Sequence, residues 1–529
     1  MKTNSKRQQA IYAGQPIKRM ASFRLFHFLT NAYCLSLIIL LSSCAASNHS
    51  YHPAKKYSPE QLNKDYTIFR GALEESHPGV YWYTEKAEMD QYFDWGKKQL
   101  SDSMTEEAFR KVLNYVIAKI NCGHTVIRSS KAFSRYRDTG NLKIFPLSLK
   151  IWQTPGLPHT ETAVVAANLI RKDTQLTRGV VVKKINNQPV ATIVDTIAAY
   201  ISSDGNNLTH KLQVMSNRGG FGSVYTSVFG ARENYYVEYL TPDGNEKTVV
   251  VPSYNPRSDS AGRNAVSRFT RTSPAERKKQ IINATRSLRI DSVGNTAFMD
   301  LGSFGKNFHL KPFFRQSFKD LRKKKIKNLV IDVRGNGGGS VTNSTSLTRF
   351  IADKKFKVAD SLFANTRNSR YKKYIQNYFF NRLFMLFVTA KKNDGKYHFG
   401  YFERHYFKPK KKNHYSGHVY ILTGGNSFSA TTLFAQAVRP QQNVTIVGEE
   451  TGGGAYGNTA WLIPDLTLPT TGVRFRLPLF RLVIDKNIPK DGRGVLPEVE
   501  ALPTQKTIKA GIDFKLEKAM ELIKADKKM

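Results

Sequence analysis

Cysteine is nearly absent: only Cys34, Cys44 and Cys122 occur in 529 residues. Two of them fall in the first 44 residues. Cys122 is therefore alone in the body of the chain, which excludes an intramolecular disulfide there and any zinc site built from clustered cysteines. Acidic residues are also scarce, with 41 Asp and Glu against 81 Lys and Arg, a formal net charge of +40. Such a surface favours anionic neighbours, whether lipid phosphates, acidic polymers or nucleic acid, and charge alone does not choose among them. Long apolar runs are missing, so no comfortable membrane span is expected. No lysine lies between Lys412 and Lys486, a local absence that bears on chemistry below.

The N-terminus narrows the partners. Lys2, Lys6, Arg7, Lys18, Arg19 and Arg24 precede a short apolar run, Leu35 to Leu41, which ends in Leu41-Ser42-Ser43-Cys44. A basic region, a short apolar region and small residues before a cysteine read as a bacterial lipoprotein signal over 1–44, with Cys44 as the lipidated residue. An uncleaved N-terminal anchor is the alternative. Either way the body is expected to be exported to the bacterial cell envelope, periplasm-facing or at the outer membrane, and held to the membrane by its anchor. Nucleic acid is then not an expected partner.

Hydrophobic residues make up 40% and aromatics 12% of the chain, a globular composition. Residues 45–57 read as a polar tether. A small helical domain is expected over 58–135. Its first helix has Ser58 as N-cap, Pro59 at the first position and Gln61 three residues after the cap, with Leu62, Tyr66, Phe69 and Leu73 as its stripe. A second helix follows Thr105, and a strand is expected to start at His124. Residues 140–255 are β-rich, with a hairpin signal at Asp243-Gly244. The glycine-led strand from Gly179 and the turn Ile185-Asn-Asn-Gln-Pro-Val190 resemble a PDZ domain, which implies capture of peptide C-termini by strand addition. A small β-sandwich is the alternative. Residues 256–287 are expected to link domains, and 288–505 alternate strand and helix as an α/β core does. Within the core, 353–416 reads as an insertion or lid whose Tyr371 to Phe387 stretch is aromatic and basic, packed on the core or lying on a membrane surface. Residues 506–529 complete the chain as a C-terminal helix.

Two stretches carry the chemistry. The apolar strand Asn328 to Val333 runs into Arg334-Gly-Asn-Gly-Gly-Gly339, and a helix follows. The dinucleotide and P-loop spacings are not met, so the loop is better suited to presenting N–H groups to an oxyanion. The strand Val419 to Leu422 runs through Gly424-Gly425 into Ser427-Phe428-Ser429-Ala430 at the start of another helix. A serine hydroxyl there sits near the positive end of a helix dipole, a good place for a nucleophile and also an ordinary place for an N-cap.

These motifs, followed by Val447-Gly-Glu-Glu-Thr-Gly452, occur in the order found in the tail-specific, or C-terminal-processing, serine proteases, and the chain resembles that family over about 58–505. The resemblance implies a multidomain α/β fold: a ββα-superhelix core similar to Clp protease and crotonases, a PDZ-like β domain and a small N-terminal helical domain. It implies Ser429 as nucleophile and an oxyanion site from the N–H groups of Gly338, Gly337 and Ala430. The lysine that usually activates this serine is missing; Gly454 stands in its place. The tricorn-like branch uses a histidine from a Gly-His pair after the N-terminal helices, which here is Gly123-His124. The same branch implies Asp491, in Asp491-Gly-Arg-Gly-Val-Leu-Pro497, as the orienting carboxylate; a turn role for Asp491 and an involvement of Glu450 stay open, while Glu449 reads as structural. The expectation is an exported, lipid-anchored serine endopeptidase acting on peptides or proteins, by their C-terminal tails, without metal or organic cofactor. The alternative is a non-catalytic PDZ-containing lipoprotein that binds peptides or the envelope.

Overall fold

A computed structural model describes residues 51–139, 142–153, 161–259 and 272–526. The signal sequence, its Cys44 and the first six residues of the tether, 45–50, lie outside the described residues. Six strands form the central sheet, in the order Arg286–Asp291, Thr296–Leu301, Asn328–Asp332, His418–Thr423, Val444–Gly448 and Val499–Glu500. The first pair is antiparallel and every later pair is parallel. The middle strands are continuous apolar runs because both sheet faces are covered. On one face Leu329, Ile331, Val419, Ile421 and Ile446 pack against Phe318, Phe350 and Phe434 from the helices Leu310–Lys323, Val341–Ile351 and Ala430–Val438. On the other, Val330, Tyr420, Leu422 and Val447 are closed by Ala519 and Ile523 of the helix Phe514–Asp526.

Register is what positions the site. Asp332 pairs with Leu422, and Leu422 with Val447, so these strands end at one level. The loops after them, which hold the glycine run, Ser429 and Gly452 to Gly454, therefore emerge side by side at the carboxyl edge of the sheet, where open α/β sheets place their ligands.

The helix Pro59–Ser76 begins with the full capping box of Ser58 and Gln61, and Leu62, Tyr66, Phe69 and Leu73 are buried as the spacing predicts. Thr105 caps the next expected helix, Glu106–Ala118. Between them lies a helix, Lys86–Lys98, that sequence reading passed over. The N-terminal helices have no separate core: their apolar side chains share one cluster with Leu466, Leu468, Val473, Phe475 and Leu477. Five antiparallel strands follow, in the spatial order Leu147–Gln153, Glu161–Asn168, Val181–Ile185, Asn234–Leu240 and Glu246–Pro252, backed by the helices Val190–Ala198, Leu208–Ser216 and Gly220–Phe229. The Asp243-Gly244 turn joins the last two as a hairpin.

Two expectations change. Part of the 256–287 segment is a helix, Pro274–Thr285, capped by Ser273. It escaped notice because none of its residues is buried, so it has no apolar stripe to read. The 353–416 segment is also no mere appendage. Its strand Ser361–Ala364 pairs with Phe480–Val483 and Tyr397–His398 in a second sheet that includes Gly457–Ala460. No described helix is long and apolar enough to cross a membrane.

Candidate active site

Ser429 sits between the strand His418–Thr423 and the helix Ala430–Val438 with φ +58° and ψ −120°. A non-glycine residue held there is strained by about 1–3 kcal/mol, which persists only where the surroundings impose it. Here they do. Ser427 Oγ donates to the Val333 carbonyl at 2.8 Å and accepts from Gly424 N–H at 3.2 Å. Phe428 N–H donates to the Asn336 carbonyl at 3.1 Å. Gly453 N–H donates to the Ser427 carbonyl at 3.2 Å. Ser427 is thus the turn residue that ties the two loops, and the half-buried Ser429 side chain makes no cap hydrogen bond.

The glycine loop lies against this turn. Gly338 has φ +94°, and a Cβ on it would stand 2.6 Å from the Phe428 carbonyl oxygen, 2.7 Å from Ser429 Cβ and 2.9 Å from Ala430 N. No residue larger than glycine fits that conformation or that space. The Gly338 N–H itself is taken by Asn336 Oδ1 at 2.9 Å. The N–H groups of Gly337 and Ala430 have no acceptor among the described residues. The structure therefore brings Gly338 and Ala430 together beside Ser429, and leaves the Ala430 N–H free at a helix N-terminus.

The histidine arrives from the N-terminal segment. His124 is 5% exposed, and its ring lies 4.8 Å from that of Phe428, the residue before Ser429. Gly123 permits this approach, since a Cβ there would meet the Phe428 ring at 2.5 Å. Burial, with Arg476, His210 and His77 adding repulsion, pushes the His124 pKa down to about 3. The imidazole is neutral at working pH, as a general base must be. Neither ring nitrogen has a hydrogen-bond partner among the described residues, so His124 and Ser429 are not hydrogen-bonded in this conformation.

The carboxylate facing His124 is Asp204, and Asp491 is elsewhere. Asp204 Oδ1 stands 3.9 Å from His124 Nδ1. Its carboxylate accepts from Gly123 N–H at 2.9 Å and from Gly454 N–H at 3.3 Å. Burial raises its pKa to about 7, and those two N–H groups oppose the rise. Asp491 is exposed and accepts from Arg493 N–H at 2.9 Å, a turn-forming contact. Its loop still touches the Asp204 loop, because Asn206 N–H donates to the Gly492 carbonyl at 3.1 Å. Glu450 is a buried anchor, taking both Arg493 Nε and Nη2 at 3.0 Å and Gly494 N–H at 2.6 Å. Glu449 pairs with Lys515.

Sequence reading missed Asp204 and His210. Asp204-Gly205 looks like any turn, and nothing local signals that it closes on Gly123 and Gly454. His210 hydrogen-bonds the Gly425 carbonyl at 2.7 Å through Nδ1, and its ring lies 4.9 Å from Phe428 on the helix Leu208–Ser216. A cavity of about 750 Å³ opens beside them, lined in part by Gly123, Val126, Phe145, Tyr200 and His210. The donor atoms of Cys122, His124 and Asp204 lie within 4.8 Å of one another and could hold a metal ion. However, the Cys122 thiol already donates to the Thr459 carbonyl, and burial raises it to about 12.

A serine on a strained strand-to-helix turn, facing unclaimed N–H groups at the edge of a mainly parallel sheet, defines a serine-type hydrolase. Residues 295–501 match the model of peptidase family S41, which supports a serine peptidase, in keeping with the resemblance to the tail-specific proteases. Mature CPAF complexed with lactacystin shares the fold: it is 13% identical, aligned over 88% of this chain and 98% of its own, with a TM-score of 0.61. Mature CPAF alone is 14% identical over the same shares, with a TM-score of 0.58. A putative peptidase from Parabacteroides merdae is 15% identical over 88% of this chain and 97% of its own, with a TM-score of 0.43. No curated protein matches the sequence.

Proposed function

We propose that this chain is an exported, lipid-anchored endopeptidase in which Ser429 attacks the substrate carbonyl carbon and His124 takes its proton. The observation that supports this most is the seating of a buried, neutral imidazole on Phe428, next to the strained serine and its free Ala430 N–H. As the Ser429 Oγ–carbon bond forms, the carbonyl electrons move to oxygen, which the Ala430 N–H and the glycine loop receive. His124 then returns the proton to the leaving amine, and water repeats the cycle in reverse to free the acid. Asp204 takes the orienting role first given to Asp491. A short movement that brings His124 to Ser429 and Asp204 completes the triad, and substrate entering the adjacent cavity supplies a cause. The β-rich segment would hold the C-terminal tail of an envelope protein.

A fluorophosphonate probe tests this. Labelling at Ser429 that is lost in both Ser429→Ala and His124→Ala is the expected result. Labelling that survives His124→Ala would remove His124 as the base. No labelling, with undiminished peptide binding, would favour the non-catalytic peptide-binding lipoprotein, a reading favoured by the open His124–Ser429 pair.

A further inference from the structure

The helix Tyr378–Val388 wears its apolar face outward. Phe380, Leu383, Phe384 and Phe387 follow one another at helical spacing with exposures of 69%, 40%, 39% and 82%, and Phe379 and Leu386 widen the stripe. Met385 is the one residue of the helix that is buried. A folded chain seldom leaves six large apolar side chains together in water, and such a face marks a docking surface.

The charge around it selects the occupant. From Arg367 to Asn393 the sequence holds Arg367, Arg370, Lys372, Lys373, Arg382, Lys391 and Lys392, and no Asp or Glu. Arg370 and Lys392 are paired with Glu75 and Glu403 of neighbouring segments. Lys372, Lys373 and Lys391 are exposed and have no carboxylate within ion-pair distance among the described residues. A second copy of this chain would bring the same cations together in a protein of net charge +40. An anionic bilayer meets both demands: acyl chains take the aromatic stripe and headgroup phosphates take the lysines.

We propose that the helix Tyr378–Val388 and its flanking lysines seat the protein on an anionic lipid surface. This contact is separate from any lipid at Cys44, and rests on no catalytic assignment. The unit from His52 onward, which is compact by itself, is mixed with phosphatidylcholine vesicles with and without phosphatidylglycerol and then sedimented. Binding is expected to be about tenfold or more tighter with phosphatidylglycerol and to fall with salt. Phe380→Ser with Phe387→Ser should weaken it by a similar factor, while Lys372→Glu with Lys373→Glu should remove the preference for anionic lipid. Because these side chains are exposed, both variants should keep the wild-type melting temperature. Equal vesicle binding by wild type and the phenylalanine variant would overturn the proposal, as would no binding at all. A dimer in sedimentation velocity that the phenylalanine variant abolishes would overturn it too, assigning the face to a second copy.

Discussion

Asp204 Oδ1 stands 3.9 Å from His124 Nδ1, beyond hydrogen-bond reach but within one small adjustment of it. Both side chains are buried, and burial holds both neutral in mildly acid solution: the imidazole because its pKa falls to about 3, the carboxyl because its pKa rises to about 7. Ionising Asp204 creates the acceptor that would orient His124 with its proton on Nδ1, leaving Nε2 for the serine.

Peptidase activity should therefore rise as pH passes through about 7, where Asp204 loses its proton. In Asp204→Asn, kcat/KM should fall by about 10²-fold, and that rise should disappear. A pH profile of kcat/KM for both proteins checks this; an unchanged profile in the variant would dismiss Asp204.

Asp491→Ala should change kcat/KM by less than about threefold, since the carboxylate is exposed and serves a turn. A loss as deep as that of Asp204→Asn would restore the role the family resemblance gave to Asp491.

Stability should record the same carboxyl. The folded state keeps a proton on Asp204 up to about pH 7, while the unfolded chain releases it near 3.8. The folded state thus binds more protons between those values, and this group's contribution falls as pH rises through the window and levels off above it. His124 acts with the opposite sign, costing stability as pH falls from 6.5 towards 3. Urea midpoints isolate the carboxyl: the stability of Asp204→Asn minus that of wild type should increase from pH 4 to 7 by a few kcal/mol and then stay level.

Gly338→Ala should cost about 1–3 kcal/mol in stability and most of the activity, because the backbone is left-handed and a Cβ would press on Ser429 Cβ and Ala430 N. Melting curves and probe labelling measure the two effects. An active, unperturbed alanine variant would show that this close approach is not needed.

Glu450→Ala should destabilise the fold by about 1–3 kcal/mol, because the Gly494 N–H and Asn207 Nδ2 lose a buried acceptor, while the exposed Arg493 is left to water. Glu450→Gln should recover part of that, keeping an acceptor while giving up the charge. Denaturant unfolding of the two variants distinguishes an anchor from a catalytic group.

Local chemistry was legible wherever neighbours in sequence do the work. The Ser58 capping box, the Asp243-Gly244 hairpin, the apolar strands and the two glycine turns depend on interactions a few residues long, and each could be read from its own stretch. The Ser429 turn belongs here as well, because a strand, two glycines and a helix start are consecutive. What the sequence by itself determined was an α/β core with a serine at a strand-to-helix turn and a glycine loop upstream. Parallel register decided that the two loops meet, since strand order is set by long-range pairing. Packing decided that the carboxylate beside His124 is Asp204. Asp491 and Asp204 lie on touching loops, and only burial and the direction of each side chain separate the turn former from the partner of the histidine.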